Sequence, residues 1–353
     1  MAHAQRTSPI VIGGIDTHKD LHAAAVVDRR GTVLATELFS TTRAGYRALL
    51  RWMRSFGDVR QVGVEGTGSY GASVARHLLD AGIEVFEITR PDRSDRRLRG
   101  KSDTFDAEAA ARAVLDGRRI STPKDKSGKV ESLRVLRLTR TAAVRARTKA
   151  LQLMRNHIIS APDEVRAEVR SLTRMQLIRT CARWRPDLSG YGDPATATRI
   201  ALKSLARRYL LLNDEVGLLD ELIETLVRDI NPALLELCGF GIENAGQLLV
   251  TAGDNTDRLR SEPAFAMLCG VAPLPASSGK VKRHRLNRGG DRAANSALHM
   301  AVMCRLRIDP RTQAYASRRL DEGLSKREIV RCLKRYLARE VFTLLKSSGL
   351  DIT

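Results

Sequence analysis

Aromatic side chains are scarce in this sequence: seven Phe, six Tyr and two Trp make up 4% of 353 residues. A surface with so few π-faces does not hold nucleic acid mainly by stacking bases on rings. Cysteine is thin as well. Cys181, Cys238, Cys269, Cys304 and Cys332 stand far apart with no C-x-x-C pair, which argues against a zinc ribbon or dithiol centre and leaves buried free thiols as the expectation. No run reaches the roughly 18 uncharged apolar residues of a membrane span, and the N-terminus lacks the apolar core of a signal peptide. A cytoplasmic protein with no membrane partner is expected.

Acidic residues are the remaining shortage. There are 40 Asp and Glu against 60 Lys and Arg, a net charge of +20, and such an excess favours a polyanionic partner, nucleic acid first. From Lys280 to Thr353 eighteen Lys and Arg face seven Asp and Glu, so more than half of the excess lies there. Within "KVKRHRLNRGGDR" the candidate phosphate contacts are Lys280, Lys282, Arg283, Arg285, Arg288 and Arg292.

The length predicts two or three domains, because single cores stop growing at roughly 250 to 300 residues. Residues 1–117 alternate β-rich and helical runs. "IVIGGID" reads as a buried strand, "HAAAVVDRRGTVLATELF" as a hairpin turning at Arg29 to Gly31, and "RAGYRALLRWMRSFG" as an amphipathic helix. The strand "VGVEG", the helix "YGASVARHLLDAG" and the strand "IEVFEI" follow. A meander of three strands and then parallel strands with crossover helices make a mixed α/β sheet of the ribonuclease H type. Residues 118–230 carry no strand signal. There Leu202, Leu205, Tyr209, Leu212, Val216, Leu219, Ile223, Leu226 and Ile230 step by three and four, a heptad seam that fits either a coiled coil between protomers or a hairpin against residues 130–158 of the same chain. Residues 231–353 are read as a mainly α domain. It opens on "CGFG", a Gly-x-Gly turn resembling a helix-hairpin-helix that could aim N–H groups at a phosphate or simply be a tight turn.

Against this basic background four acids stand out. Asp16 closes the strand "VIGGID", Glu65 closes "VGVEG", and Asp103 and Asp106 open the helix in "KSDTFDAEAA", three positions apart and so on one face. Taken singly, Asp16 and Glu65 could begin solvated turns, and Asp103 could be an N-cap with Asp106 favouring the helix dipole. Together, at two strand ends and a helix start, they match a divalent-metal nuclease centre: carboxylates held close repel unless cations neutralise them, and Mg²⁺, or Mn²⁺, takes such hard oxygen ligands. His18 and His22 flank Asp16 and could tune it, although exposure on a strand leaving the site is the simpler reading. Ser69 and Tyr70 follow Glu65 and could position a ligand or cap the next helix.

"GIDTHKD", "VGVEGTGSYG" and "KSDTFDAEAAA" resemble the three acidic motifs of the DEDD transposases of insertion sequences, the family that includes the Piv and MooV DNA invertases. "GVAPLPASSGK" followed by "NRGGDRAANSALHMAVM" is similar to that family's C-terminal domain. The resemblance implies a RuvC-like catalytic domain, a helical dimerisation region and a C-terminal domain with a nucleophilic serine. Asp16, Glu65, Asp103 and Asp106 become the metal tetrad. Ser278, directly before Gly279, is the serine matching the family position, with Ser277 its neighbour. It also implies donor and target DNA, a noncoding guide RNA and a homo-oligomer, a dimer or tetramer. The competing readings are a RuvC-like junction nuclease without a protein nucleophile and a noncatalytic nucleic-acid-binding scaffold.

Overall fold

The computed structural model describes residues 8–88, 102–117, 120–276, 284–285 and 287–347, arranged in two compact units, Met1–Asp125 and Lys126–Thr353. The first is built on a six-stranded sheet in the order β3-β2-β1-β4-β5-β6, from β1 (Ile10–Thr17), β2 (Leu21–Val27), β3 (Val33–Ser40), β4 (Asp58–Glu65), β5 (Glu84–Ile88) and β6 (Ile120–Ser121). β1, β2 and β3 form an antiparallel meander, while β4 and β5 run parallel to β1. The mixed α/β sheet expected from the alternation of patterns is therefore present.

Strand parity decides what each residue faces. On one side Val11, Ile15, Ala24, Val26, Val62 and Val64 join Leu49, Met53 and Leu78 from α1 (Arg43–Ser55) and α2 (Ala72–Asp80). On the other, Ile12, Val27 and Phe86 meet Ala110, Ala111 and Val114 of α3 (Asp103–Asp116). Asp16 shares its parity with Ile12, and Glu65 shares its parity with Gly63, so both acids belong to the face that α3 covers.

The alanine run of α3 lets it lie almost on the strands. A Cβ built on Gly14 would stand 2.1 Å from the Ala107 carbonyl oxygen and 2.4 Å from the Ala111 nitrogen, and one on Gly63 2.6 Å from the Ala110 oxygen. Alanine buries little area, so dispersion across this close contact is what seats the helix and, with it, its first turn. Gly14→Val should accordingly destabilise the unit by about 3 kcal/mol, the upper range for overpacking, and shift Asp103 away from Asp16. Thermal unfolding measures the first effect; an unchanged melting temperature would mean that α3 is not held as described.

In the second unit α4 (Lys129–Ile159) pairs with α7 (Pro194–Ile230), joined through α5 (Asp163–Val169) and α6 (Arg174–Arg183). The cross-links Lys129–Asp229 (2.6 Å), Arg140–Asp220 and Arg147–Asn213 (2.9 Å) run in opposite sequence directions, so the hairpin is antiparallel. Every residue of the heptad seam is buried or half-buried. Of the two partners the seam allowed, this chain's own α4 is the one observed. Pro194 at the first turn and Asp193, whose carboxylate accepts the Thr196 N–H at 2.8 Å, start α7.

The rest of the unit comprises α8 (Ile242–Ala252), α9 (Glu262–Leu268), the two-residue strands β7 (Leu274–Pro275) and β8 (His284–Arg285), α10 (Arg292–Ile308), α11 (Pro310–Asp321) and α12 (Lys326–Ser347). Phe265, Leu248, Leu298, Leu337 and Val341 anchor its core. The Gly-x-Gly turn has a packing explanation. Gly239 sits at φ +83 with a virtual Cβ 2.6 Å from the Ala301 oxygen, and Glu243 at the start of α8 pairs with Arg137 (3.0 Å) and Arg140 (2.7 Å). That helix start is thus met by an acid of its own chain. The thiols are free, but only Cys181 and Cys269 are buried; Cys238 is exposed, because it lies in the loop before α8 rather than on a helix face. Among the described residues no helix is long and apolar enough to cross a membrane.

Candidate carboxylate metal centre

β1 and β4 lie side by side with Ile15 opposite Val64, so Asp16 and Glu65 emerge at neighbouring strand ends. The Thr17 hydroxyl donates to the Glu65 carbonyl oxygen at 2.8 Å and ties those ends together. Gly66 turns the chain away with φ +71, and the Ser69 N–H and hydroxyl donate back to its carbonyl at 2.9 and 3.3 Å. Ser69 is thus a turn residue, and Tyr70 is exposed. α3 delivers the other two acids in its first turn. Its N-cap is Ser102, so Asp103 is not a cap and its carboxylate is available to the site.

Asp16 is 6% exposed, contrary to a solvated turn. Burial, together with the Glu65, Asp106 and Asp103 carboxylates, pushes its carboxyl above the ordinary aspartate range, and His18 opposes them. Glu65, Asp106 and Asp103 are thus close enough to act on the charge of Asp16. They are not equivalent. His18 Nε2 lies 3.1 Å from Asp16 Oδ2 and 3.2 Å from Asp103 Oδ1, and among the described residues these three form a group compact enough for a single ion. Glu65 and Asp106 stand outside that group.

The donor set fits a divalent cation. Two carboxylate oxygens and an imidazole lie within 4.8 Å of one another; the carboxylates suit hard ions such as Mg²⁺ or Mn²⁺, whereas the imidazole would favour a transition metal. The two histidine expectations divide. His18 is exposed as expected and also bridges Asp16 and Asp103. His22 is fully buried on the opposite face of the sheet, stacked on Tyr46 at 5.8 Å. It shares parity with Ala24 and Val26, and burial, with His18 adding to it, lowers its pKa to about 4. It therefore packs as a neutral ring.

The basic candidates divide. Arg285, Arg288 and Arg292 are exposed. Ser277, Ser278, Lys280, Lys282 and Arg283 lie outside the described residues. Asp291, beside them in sequence, N-caps α10 by accepting the Ala293 and Ala294 N–H groups, and its other oxygen accepts the Thr251 hydroxyl at 2.7 Å.

Fold and site define an α/β unit with a carboxylate cluster at the C-terminal ends of parallel strands, followed by a helical, strongly basic unit. Residues 13–161 match a family model described as Transposase, of the DEDD type of IS110, and residues 231–317 match one described as Transposase IS116/IS110/IS902 family. The chain belongs to the IS110 family of DEDD transposases. It is 27% identical over 158 residues to the insertion element IS900 uncharacterized 42 kDa protein of Mycobacterium paratuberculosis, covering 44% of this chain and 39% of that protein. It is 27% identical over 157 residues to the insertion element IS110 uncharacterized 43.6 kDa protein of Streptomyces coelicolor, covering 43% and 38%. These matches span about two-fifths of each relative's length.

Proposed function

We propose that this protein is a DNA transposase that cuts and rejoins strands at insertion-sequence ends and target, with a metal-bound tetrad and a serine nucleophile. The observation that carries the reading is Asp16: a nearly buried carboxylate at a strand end, with Asp103 and His18 within reach of one ion, is a place where a cation would offset its burial and its like-charged neighbours. The sheet order, with its antiparallel meander joined to parallel strands, supports a RuvC-like, ribonuclease H-type domain over 1–117, with β6 at Ile120–Ser121 carrying the sheet past that expected boundary into a stretch where no strand was expected.

In this reading Asp16, Glu65, Asp103 and Asp106 would hold Mg²⁺ or Mn²⁺, which would supply charge stabilisation for phosphodiester cleavage. Ser278 attacks the phosphorus, a 3′-oxygen or 5′-oxygen of DNA leaves, and the phosphoserine ester keeps the bond energy for rejoining. Residues 118–230 form the helical assembly region and 231–353 the serine domain, with Lys280, Lys282, Arg283, Arg285, Arg288 and Arg292 along the phosphates. A homo-oligomer brings two ends together. Leu138 on α4 and Leu211, Leu218 and Leu222 on α7, all exposed, support an assembly surface outside the intrachain seam. The guide RNA is inferred from family membership, and the net charge of +20 accommodates it with DNA. A cytoplasmic location belongs to the same reading.

The test is a supercoiled plasmid carrying the element's ends, incubated with the protein and RNA transcribed from the element. Mg²⁺ should give nicked, protein-linked DNA, and EDTA should leave the plasmid intact. Binding without cleavage under all metal conditions would favour a noncatalytic scaffold.

A further inference from the structure

A lysine occupies a buried position in the second unit, and among the described residues no acid pairs with it. Lys334 is 7% exposed, and its ammonium donates to Asn295 Oδ1 at 2.8 Å, a neutral acceptor. Asn295 is itself fixed, its Nδ2 donating to the carbonyls of Cys269 (3.2 Å) and Gly270 (2.8 Å). A buried cation with no counter-charge is costly, and burial, then Arg331 one turn away on α12, holds the Lys334 ammonium below the usual lysine range.

This lysine lines a cavity of about 540 Å³ bounded by residues 270–273, β8, the end of α11 and α12. Most of the other charges on its wall are accounted for. Arg335 is paired with Glu262, Arg319 with Glu322, and the Glu328 carboxylate, the one acid in the lining, accepts the Ser325 N–H and hydroxyl. Arg285 and Arg331 line the same cavity and, with Lys334, have no acidic partner among the described residues. Three uncompensated cations thus surround one concave space, one of them desolvated in advance.

We propose that this chamber is a phosphodiester subsite for DNA, with Lys334 holding the phosphate at the floor and Arg285 and Arg331 at the rim. A phosphodiester supplies the missing negative charge and the acceptor oxygens that an ammonium and two guanidinium forks require. DNA is the source assigned because the chamber wall includes β8, the strand that follows Ser277 and Ser278 in the chain; a strand anchored here is fixed at the root of the segment that carries the candidate nucleophile. The inference rests on the DNA-cutting reading for the choice of ligand but not on Ser278 or the tetrad for the binding itself.

The experiment uses the full chain and three small probes at constant ionic strength: the deoxydinucleotide TpT, the ribodinucleotide UpU and inorganic phosphate, each followed by thermal unfolding. TpT should raise the melting temperature of the wild type in a saturable way. Lys334→Met should match or exceed the wild type without ligand, since it removes a buried charge, and should weaken TpT binding about tenfold or more, as for the loss of a charged hydrogen bond. Arg331→Gln and Arg285→Gln, both at exposed positions, should weaken it severalfold and carry the test if Lys334→Met does not fold. A TpT response that survives in these variants overturns the subsite. A response to inorganic phosphate alone, or to UpU and not TpT, overturns its assignment to DNA. Because no cleavage is read, inactivity of the protein on plasmid DNA leaves this result independent.

Discussion

Asp16→Asn should abolish metal-dependent strand cleavage and at the same time make the metal-free protein more stable. The amide keeps the shape of the carboxylate but brings neither its charge to the metal nor its repulsion to Glu65, Asp103 and Asp106. Cleavage should fall at least about a hundredfold, the scale of losing several kcal/mol of charge stabilisation at the reacting phosphate. Without metal, removing a desolvated charge from among like charges should raise stability. Asp103→Asn should cost as much cleavage with little change in stability, because its side chain is half-exposed. Plasmid nicking and calorimetry on the same preparations separate the two effects. A destabilised Asp16→Asn that cleaves normally would make the buried acid structural.

Ser278→Ala is the second large loss. If its hydroxyl attacks phosphorus, a stalled reaction carries DNA joined to residue 278 through a phosphoserine ester, and the alanine variant should lose both the adduct and recombination while keeping DNA affinity. One neutral hydroxyl adds little beside many phosphate contacts. Ser277→Ala is the control and should be mild. Peptide mapping of the trapped adduct decides; an adduct on Ser277, or cleavage with none at all, contradicts the assignment, and the latter leaves a metal-activated water as nucleophile.

Much of the first unit was legible because its signals are local. Short β-rich apolar runs in "IVIGGID" and "VGVEG" mark β1 and β4, and the turn at Arg29 to Gly31 marks the hairpin. Strand ends then pointed to Asp16 and Glu65, and helical spacing to Asp103 and Asp106. What local pattern does not contain is the partner. The heptad in α7 defined a face without saying that α4 would cover it, and the alanines of α3 read as helix propensity although their use is the close approach at Gly14. His18 lies beyond the end of β1, where parity no longer fixes direction, so its bridge between two acids came only with the fold. Two signals were present and unused. His22 alternates with Ala24 and Val26, which places it in the core, and Lys334 falls in the stripe Val330, Lys334, Leu337, Val341 of α12, an apolar face with one charge in it. Counting that lysine as part of a basic surface hid its burial.

The account stands on the carboxylate cluster being a cation site, and Mn²⁺ titration of the DNA-free protein followed by electron paramagnetic resonance addresses that without any need for the element's ends. The wild type should take up Mn²⁺ at a saturable site that Mg²⁺ competes for, and Asp16→Asn and Asp103→Asn should each weaken it about tenfold or more, as expected when a charged ligand is lost. Wild-type protein that binds no Mn²⁺, or variants that bind it as tightly as the wild type, would contradict the central claim.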